Sequence, residues 1–170
     1  MIILGIDPGI AIVGYGIIRS ERGLHTVVDY GVIETPKEEM TAVRLAMVAE
    51  SMEKIINKYK PDDVAIEDLY FNNNQKTIIR VAEARGVLML TAIRECGRLY
   101  EYTPLQVKQS VTGYGRADKH QMQQMVKTLL KLDKIPKPDD AADALAIALC
   151  HAQYCRSPQM KASYGETKFK

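Results

Sequence analysis

The chain opens on an apolar run, Ile2-Ile3-Leu4-Gly5-Ile6, that ends in Asp7-Pro8-Gly9. A short apolar run with no helical period predicts a strand buried on both faces, and Pro-Gly stops it. Residues 10–19, with Gly14 and Gly16, and residues 25–35 carry the same strand character on either side of the turn Ser20-Glu21-Arg22-Gly23. The first three strands therefore predict an antiparallel meander. After Pro36 the period changes. Leu45, Val48, Met52, Ile55, Ile56 and Tyr59 recur at helical spacing, which predicts an amphipathic helix covering one sheet face.

Val64-Ala65-Ile66-Glu67 repeats the opening pattern, a short buried strand ending in a carboxylate, and Asn72-Asn73-Asn74 marks an exposed loop. Residues 75–97 are good helix formers, with Ile78, Ile79, Val81, Ala82, Leu88 and Leu90 spread over more of the circumference than one stripe. Residues 99–103 read as a strand stopped by Pro104, and 105–111 as a short helix. The connector Gly113-Tyr114-Gly115-Arg116 leads to a helix over 118–132, apolar at Met122, Met125, Val126, Leu129 and Leu130 and lysine-rich opposite. An Ala-rich helix follows over 139–154. One α/β domain over residues 1–155 is expected, with a flexible tail over 156–170.

A length of 170 residues, 46% hydrophobic and 26% charged, suits one globular domain. The net charge is only +2, yet residues 105–137 hold seven basic against two acidic residues, a local excess of +5. That asymmetry suggests an anionic partner, although a lysine-rich helix face also serves solvation alone. The three cysteines, Cys96, Cys150 and Cys155, have neither disulfide-framework nor zinc-site spacing. No apolar stretch reaches membrane-spanning length and no leader pattern opens the chain, so a soluble cytoplasmic protein is expected.

Placing the first and fourth strands side by side brings Asp7 and Glu67 to the same end of the sheet, where α/β proteins gather ligands. Asp7 before Pro-Gly is also ordinary turn chemistry. The last helix begins Asp139-Asp140-Ala141-Ala142-Asp143, and Asp140 and Asp143, three residues apart, share a face. Asp139 fits N-terminal capping of that helix, a role open to Asp140 as well. Asp143 lies among alanines, where burial without a partner is costly. Four converging carboxylates require cations. Hard oxygen ligands select Mg²⁺, with Mn²⁺ as a substitute, and two ions form a known clamp for phosphoryl displacement.

Ile6-Asp7-Pro8-Gly9 with Gly14-Tyr15-Gly16, Ala65-Ile66-Glu67, Gln106-Val107-Lys108-Gln109 and Asp140-Ala141-Ala142-Asp143-Ala144-Leu145-Ala146-Ile147-Ala148 resemble the RuvC family of Holliday junction resolvases. The resemblance implies an RNase H-like fold, a mixed sheet opened by the meander and flanked by helices. It implies a homodimer that nicks opposed strands of four-way junction DNA with Mg²⁺ or Mn²⁺, alongside the branch-migration complex of RuvA and RuvB proteins. Asp7, Glu67, Asp140 and Asp143 fall on the catalytic carboxylates, and Lys108 and Lys119 on DNA-contacting lysines. The family often places Phe three residues after the catalytic glutamate. Here that position is Tyr70, followed by Phe71, so either neighbour is the candidate for stacking on an unpaired base. Arg116, in the connector, is a further candidate DNA contact.

Three other readings compete. An actin-like ATPase or sugar kinase also ends its first strand in Asp-x-Gly, but needs a second phosphate loop for which 170 residues leave no room. The same fold could act on an RNA/DNA hybrid or structured RNA. A binding protein that does not cleave would have no use for all four carboxylates.

Overall fold

The computed structural model describes residues 1–69 and 75–155, with backbone only for 75–77. The expected meander is present. β1 (Ile2–Asp7), β2 (Ile12–Glu21) and β3 (Leu24–Glu34) pair antiparallel in sequence, with a bulge where Ile17 faces Asp29 and Ile18 faces Val27. β4 (Asp63–Glu67) pairs parallel to β1, and β5 (Leu99–Tyr102) parallel to β4, which gives the order β3-β2-β1-β4-β5.

Two helical layers enclose the sheet. On one face α1 (Thr41–Tyr59) buries the stripe Val48, Met52 and Ile56, and α2 (Gln75–Glu95) buries Ala84, Leu88 and Ala92, against Leu4, Ile6, Val13, Ile17, Val64 and Ile66. On the other face α5 (Asp139–Tyr154) lies against the sheet, flanked by α3 (Pro104–Thr112) and α4 (Lys119–Leu129). Glycines on β1 and β2 let α5 lie so close. A Cβ on Gly5 would stand 2.1 Å from the Ala144 carbonyl oxygen, and one on Gly16 would stand 2.7 Å from the Leu145 nitrogen. Gly5 and Gly16 are partners in the β1–β2 ladder, so together they form the floor on which this helix rests.

Several boundaries differ from the sequence reading. α1 begins at Thr41, one turn before Leu45, the first residue of the apolar repeat. Pro104 opens α3 instead of merely ending β5. Thr103 caps the helix in a capping box with Gln106, and a proline in the first turn loses no hydrogen bond. α4 stops at Leu129, with Lys131 in the left-handed region at φ 53°. α2 buries one stripe and leaves Ile79 60% and Leu90 50% exposed, so the chain's own core does not absorb both apolar faces.

Candidate active site

The period of two along a strand decides where Asp7 points. Ile3 and Gly5 of β1 face α5 while Leu4 and Ile6 face away from it, so Asp7, two residues beyond Gly5, shares the α5 face. β4 repeats the arrangement: Ala65 faces α5, and Glu67 follows two residues later. Ile6 is level with Ile66 in the parallel ladder, which sets Asp7 and Glu67 side by side at the carboxyl ends of their strands.

The first turn of α5 arrives at the same place. Gly14 is the ladder partner of Asp7 on β2, and a Cβ on Gly14 would lie 2.0 Å from the Asp140 carbonyl oxygen. A cleft of about 260 Å³ is lined by Asp7, Glu67 and Asp143 together with Lys108 and Lys119, against an apolar wall of Val107, Met122 and Ala146. Capping boxes hold the two lysine-bearing helices. Thr103 and Gln106 fix the start of α3, which carries Lys108, and Asp118 and Gln121 fix α4 with Lys119 as its first residue.

The electrostatics record a cluster of like charges. Burial pushes the Asp7 carboxyl up to about 8, reinforced by Glu67, Asp143 and Asp140. Burial, then the charge of Asp143, pushes Glu67 up to about 7, with Lys108 opposing. Burial also raises Asp143, where Lys119 opposes and Asp140 and Asp139 reinforce. Lys119 Nζ lies 3.1 Å from Asp139 Oδ2 and 3.7 Å from Asp143 Oδ2.

Among the described residues, no three Asp, Glu, His or Cys side chains close on one point as a ready metal cage. The donor set nevertheless fits a hard divalent cation. It is all carboxylate oxygen, burial and like charge raise Asp7, Glu67 and Asp143 where no cation offsets them, and Mg²⁺ keeps part of its water shell instead of demanding a complete protein cage.

The structure thus brings Asp7, Glu67, Asp143, Lys108 and Lys119 to one cleft, with Asp140 close enough to influence Asp7. Arg116 is exposed in the turn before Asp118 and does not line that cleft. Tyr70 and Phe71 lie outside the described residues. Asp139 does not cap α5: the N-cap is Pro138, which has no side-chain capping bond, and the Asp139 carboxylate instead pairs with Lys119 and Lys137. A residue the sequence reading missed is Arg85 of α2. Its Nε donates to the Glu67 carbonyl oxygen at 3.0 Å, and its guanidinium also pairs with Asp68 at 3.2 Å and with Glu101. No local motif marks Arg85, because only the packing of α2 beside β4 and β5 gives it these partners.

The family model for "Crossover junction endodeoxyribonuclease RuvC" matches residues 3–151. A crossover junction endodeoxyribonuclease RuvC of Alkaliphilus oremlandii is 60% identical over 152 residues, 89% of this chain and 93% of that protein. One of Ruminiclostridium cellulolyticum is 51% identical over 169 residues, 99% of this chain and all of that protein. Thermus thermophilus RuvC, solved in complex with a Holliday junction substrate, superposes with a TM-score of 0.84 at 30% identity, covering 92% of this chain and 96% of that one. The five-stranded mixed sheet with its flanking helices is the RNase H-like architecture of that resolvase. With the family matched across nearly all of the folded domain, this chain belongs to the RuvC family of crossover junction endodeoxyribonucleases.

Proposed function

We propose that the chain resolves four-way DNA junctions by metal-dependent hydrolysis of phosphodiesters in two opposed strands, with Asp7, Glu67, Asp140 and Asp143 as metal ligands. The observation that carries this is the cleft itself, in which partly buried carboxylates from two strands and one helix share a wall with Lys108 and Lys119. Nucleases of this family are metal-dependent, and we assign two Mg²⁺ ions to the site, replaceable by Mn²⁺. When bound, they supply a hydrolytic water acidified for attack and charge compensation for the leaving oxygen.

The chain's own residues do the rest. The backbones of β1, β4 and α5 hold the carboxylates at fixed spacing, so their charge is organised before substrate arrives. Lys108 and Lys119 hold phosphate oxygens at the mouth of the cleft, and Arg116, Tyr70 and Phe71 extend the contact with DNA. Arg85 fixes the Glu67 main chain from behind. Thermus thermophilus RuvC, alike over 92% of this chain, carries a Holliday junction, which supports DNA rather than an RNA/DNA hybrid as the substrate.

Paired nicks require two sites, and we assign the dimer contact to the outer face of α2, where Ile79, Gly86 and Leu90 fall on one line with Ala82 beside them, opposite the buried stripe. The RuvA and RuvB branch-migration proteins complete the set of partners. Among the described residues no helix is long and apolar enough to cross a membrane, and the proposed place of work is the cytoplasm.

The test is cleavage of a synthetic four-way junction, an RNA/DNA hybrid and a plain duplex, each with Mg²⁺ and with chelator. Mg²⁺-dependent paired nicking confined to the junction is the expected result. Preference for the hybrid, or nicking that survives chelation, would overturn the assignment.

A further inference from the structure

The carboxylate of Asp139 is held as a phosphate would be. Lys137 Nζ lies 2.6 Å from Oδ1 and Lys119 Nζ lies 3.1 Å from Oδ2. The Gln123 side chain, one helical turn beyond Lys119 on α4, lies near the same group without closing a hydrogen bond to it. Gln123 is only 6% exposed, and among the described residues its Nε2 finds no hydrogen-bond partner. The start of α5 adds backbone N–H groups that no side chain caps. Two ammonium groups, a buried amide donor without an acceptor and an uncapped helix start form a cradle for an anion. An internal carboxylate fills only part of it.

The Asp139 carboxylate pairs with Lys119 and Lys137 and does not line the cleft of Asp7, Glu67 and Asp143. Its nearest consequence is for Lys119, whose ammonium it holds beside Asp143.

We propose that Asp139 is an internal competitor for a phosphodiester group of the junction: it occupies Lys119 and Lys137 in the free protein and gives them up when a DNA phosphate enters the cradle, where the Gln123 amide becomes an additional donor. This rests on the junction-resolvase reading above. Its consequence is that free protein masks part of its positive surface, so loose contact with any duplex gains less than a phosphate delivered to this point.

The experiment measures binding of a synthetic four-way junction to the full chain in chelator, by fluorescence anisotropy across a series of salt concentrations. Asp139→Asn should bind more tightly, with the slope of log affinity against log salt steeper by about 0.9 for each lysine released. Asp133→Asn, which removes an exposed acid from the same basic segment, should leave the slope unchanged. Combining Asp139→Asn with Lys119→Ala should remove the share of the gain that runs through that ammonium, about half of the change in slope, and leave the share of Lys137. Equal effects of Asp139→Asn and Asp133→Asn would reduce the result to general charge and overturn the inference. So would weaker binding by Asp139→Asn, which would make the carboxylate a support for Lys119. Failure of the unaltered chain to bind a junction would overturn the underlying reading as well, whereas normal binding and nicking with an unresponsive Asp139→Asn would overturn this inference alone.

Discussion

Gly5 of β1 faces Ala144 of α5 so closely that a methyl group on the glycine would stand 2.1 Å from the Ala144 carbonyl oxygen and 2.7 Å from the Ala148 nitrogen. No rotamer relieves a clash with backbone, so Gly5→Ala must push α5 away from β1. Overpacking of this kind costs about 1–3 kcal/mol. Because α5 also carries Asp140 and Asp143, the shift should separate these from Asp7 and Glu67. The expected outcome is a lower melting temperature together with weaker metal binding, whereas Gly97→Ala, in the turn between α2 and β5 and outside the cleft lining, should melt lower from its φ of 79° without changing metal affinity.

The carboxyls of Asp7 and Glu67, raised to about 8 and about 7, make stability depend on pH in a defined direction. Without metal, both are protonated in the native state at pH values where the unfolded chain has already released those protons. Native protein therefore binds more protons than unfolded protein from about pH 4 to about pH 8, and stability falls as pH rises through that window. Thermal melts in chelator should show the decline, and Asp7→Asn should remove part of it. Metal uptake displaces the same protons, so Mg²⁺ affinity measured by calorimetry should tighten with rising pH. A flat melting temperature across the window would remove these two groups from the buried cluster.

Lys108 lines the cleft and opposes the raised pKa of Glu67, whereas Lys119 is engaged by Asp139 and Asp143. Lys108→Ala should weaken junction binding for every junction sequence and reduce the salt slope by about one. If the ammonium also meets charge developing in the transition state, single-turnover cleavage at saturating protein should fall by about 10²–10³. Normal turnover with an unchanged slope would return Lys108 to simple solvation of its helix.

Much of the site could be read from the sequence because it depends on short periods. Asp7 and Glu67 each end a buried strand, and the period of two places both on the α5 face; Asp140 and Asp143 need only the period of a helix. What could not be read depends on side chains meeting across the fold. Arg85 reaches the main chain of Glu67 from 18 residues away. Asp139 looks like a cap until α4 delivers Lys119 to it. His151, near the end of α5, is buried, with Nδ1 2.8 Å from the Tyr102 hydroxyl and Nε2 3.1 Å from Asp63 Oδ2, partners that no local pattern marks.

That last network makes its own prediction. With the Nε2 proton directed at Asp63, Nδ1 of His151 accepts from Tyr102. Tyr102→Phe keeps the ring packing and removes the hydroxyl, so a buried ring nitrogen loses its donor at a cost of about 1–3 kcal/mol. Urea denaturation should show the loss as a lower midpoint with an unchanged slope. An unchanged midpoint would mean that the bond contributes nothing net.

The dimer prediction turns on Gly86. Among the described residues nothing lies within 4 Å of where its Cβ would stand, outside the helix's own backbone, and Gly86 sits within the α2 helix, so a Cβ there meets open space. Replacing a mid-helix glycine should, if anything, stabilise the isolated chain, by up to about 1 kcal/mol. Ile79 and Leu90 lie on the same line of the helix, 60% and 50% exposed, and a glycine between them lets a second backbone approach closely. In an isologous contact, Gly86→Glu would set two carboxylates against each other across the two-fold axis and bury both without a partner. The variant should therefore be a monomer at least as stable as its parent in chelator, still able to bind metal, but unable to nick opposed strands in concert. Sedimentation equilibrium reads the first effect, and a supercoiled cruciform plasmid reads the second: paired nicks linearise it and uncoupled nicks only relax it. A Gly86→Glu protein that sediments as a dimer and still linearises the plasmid would move the interface off this helix, and an unchanged melting temperature in chelator would show that a monomeric result does not come from misfolding.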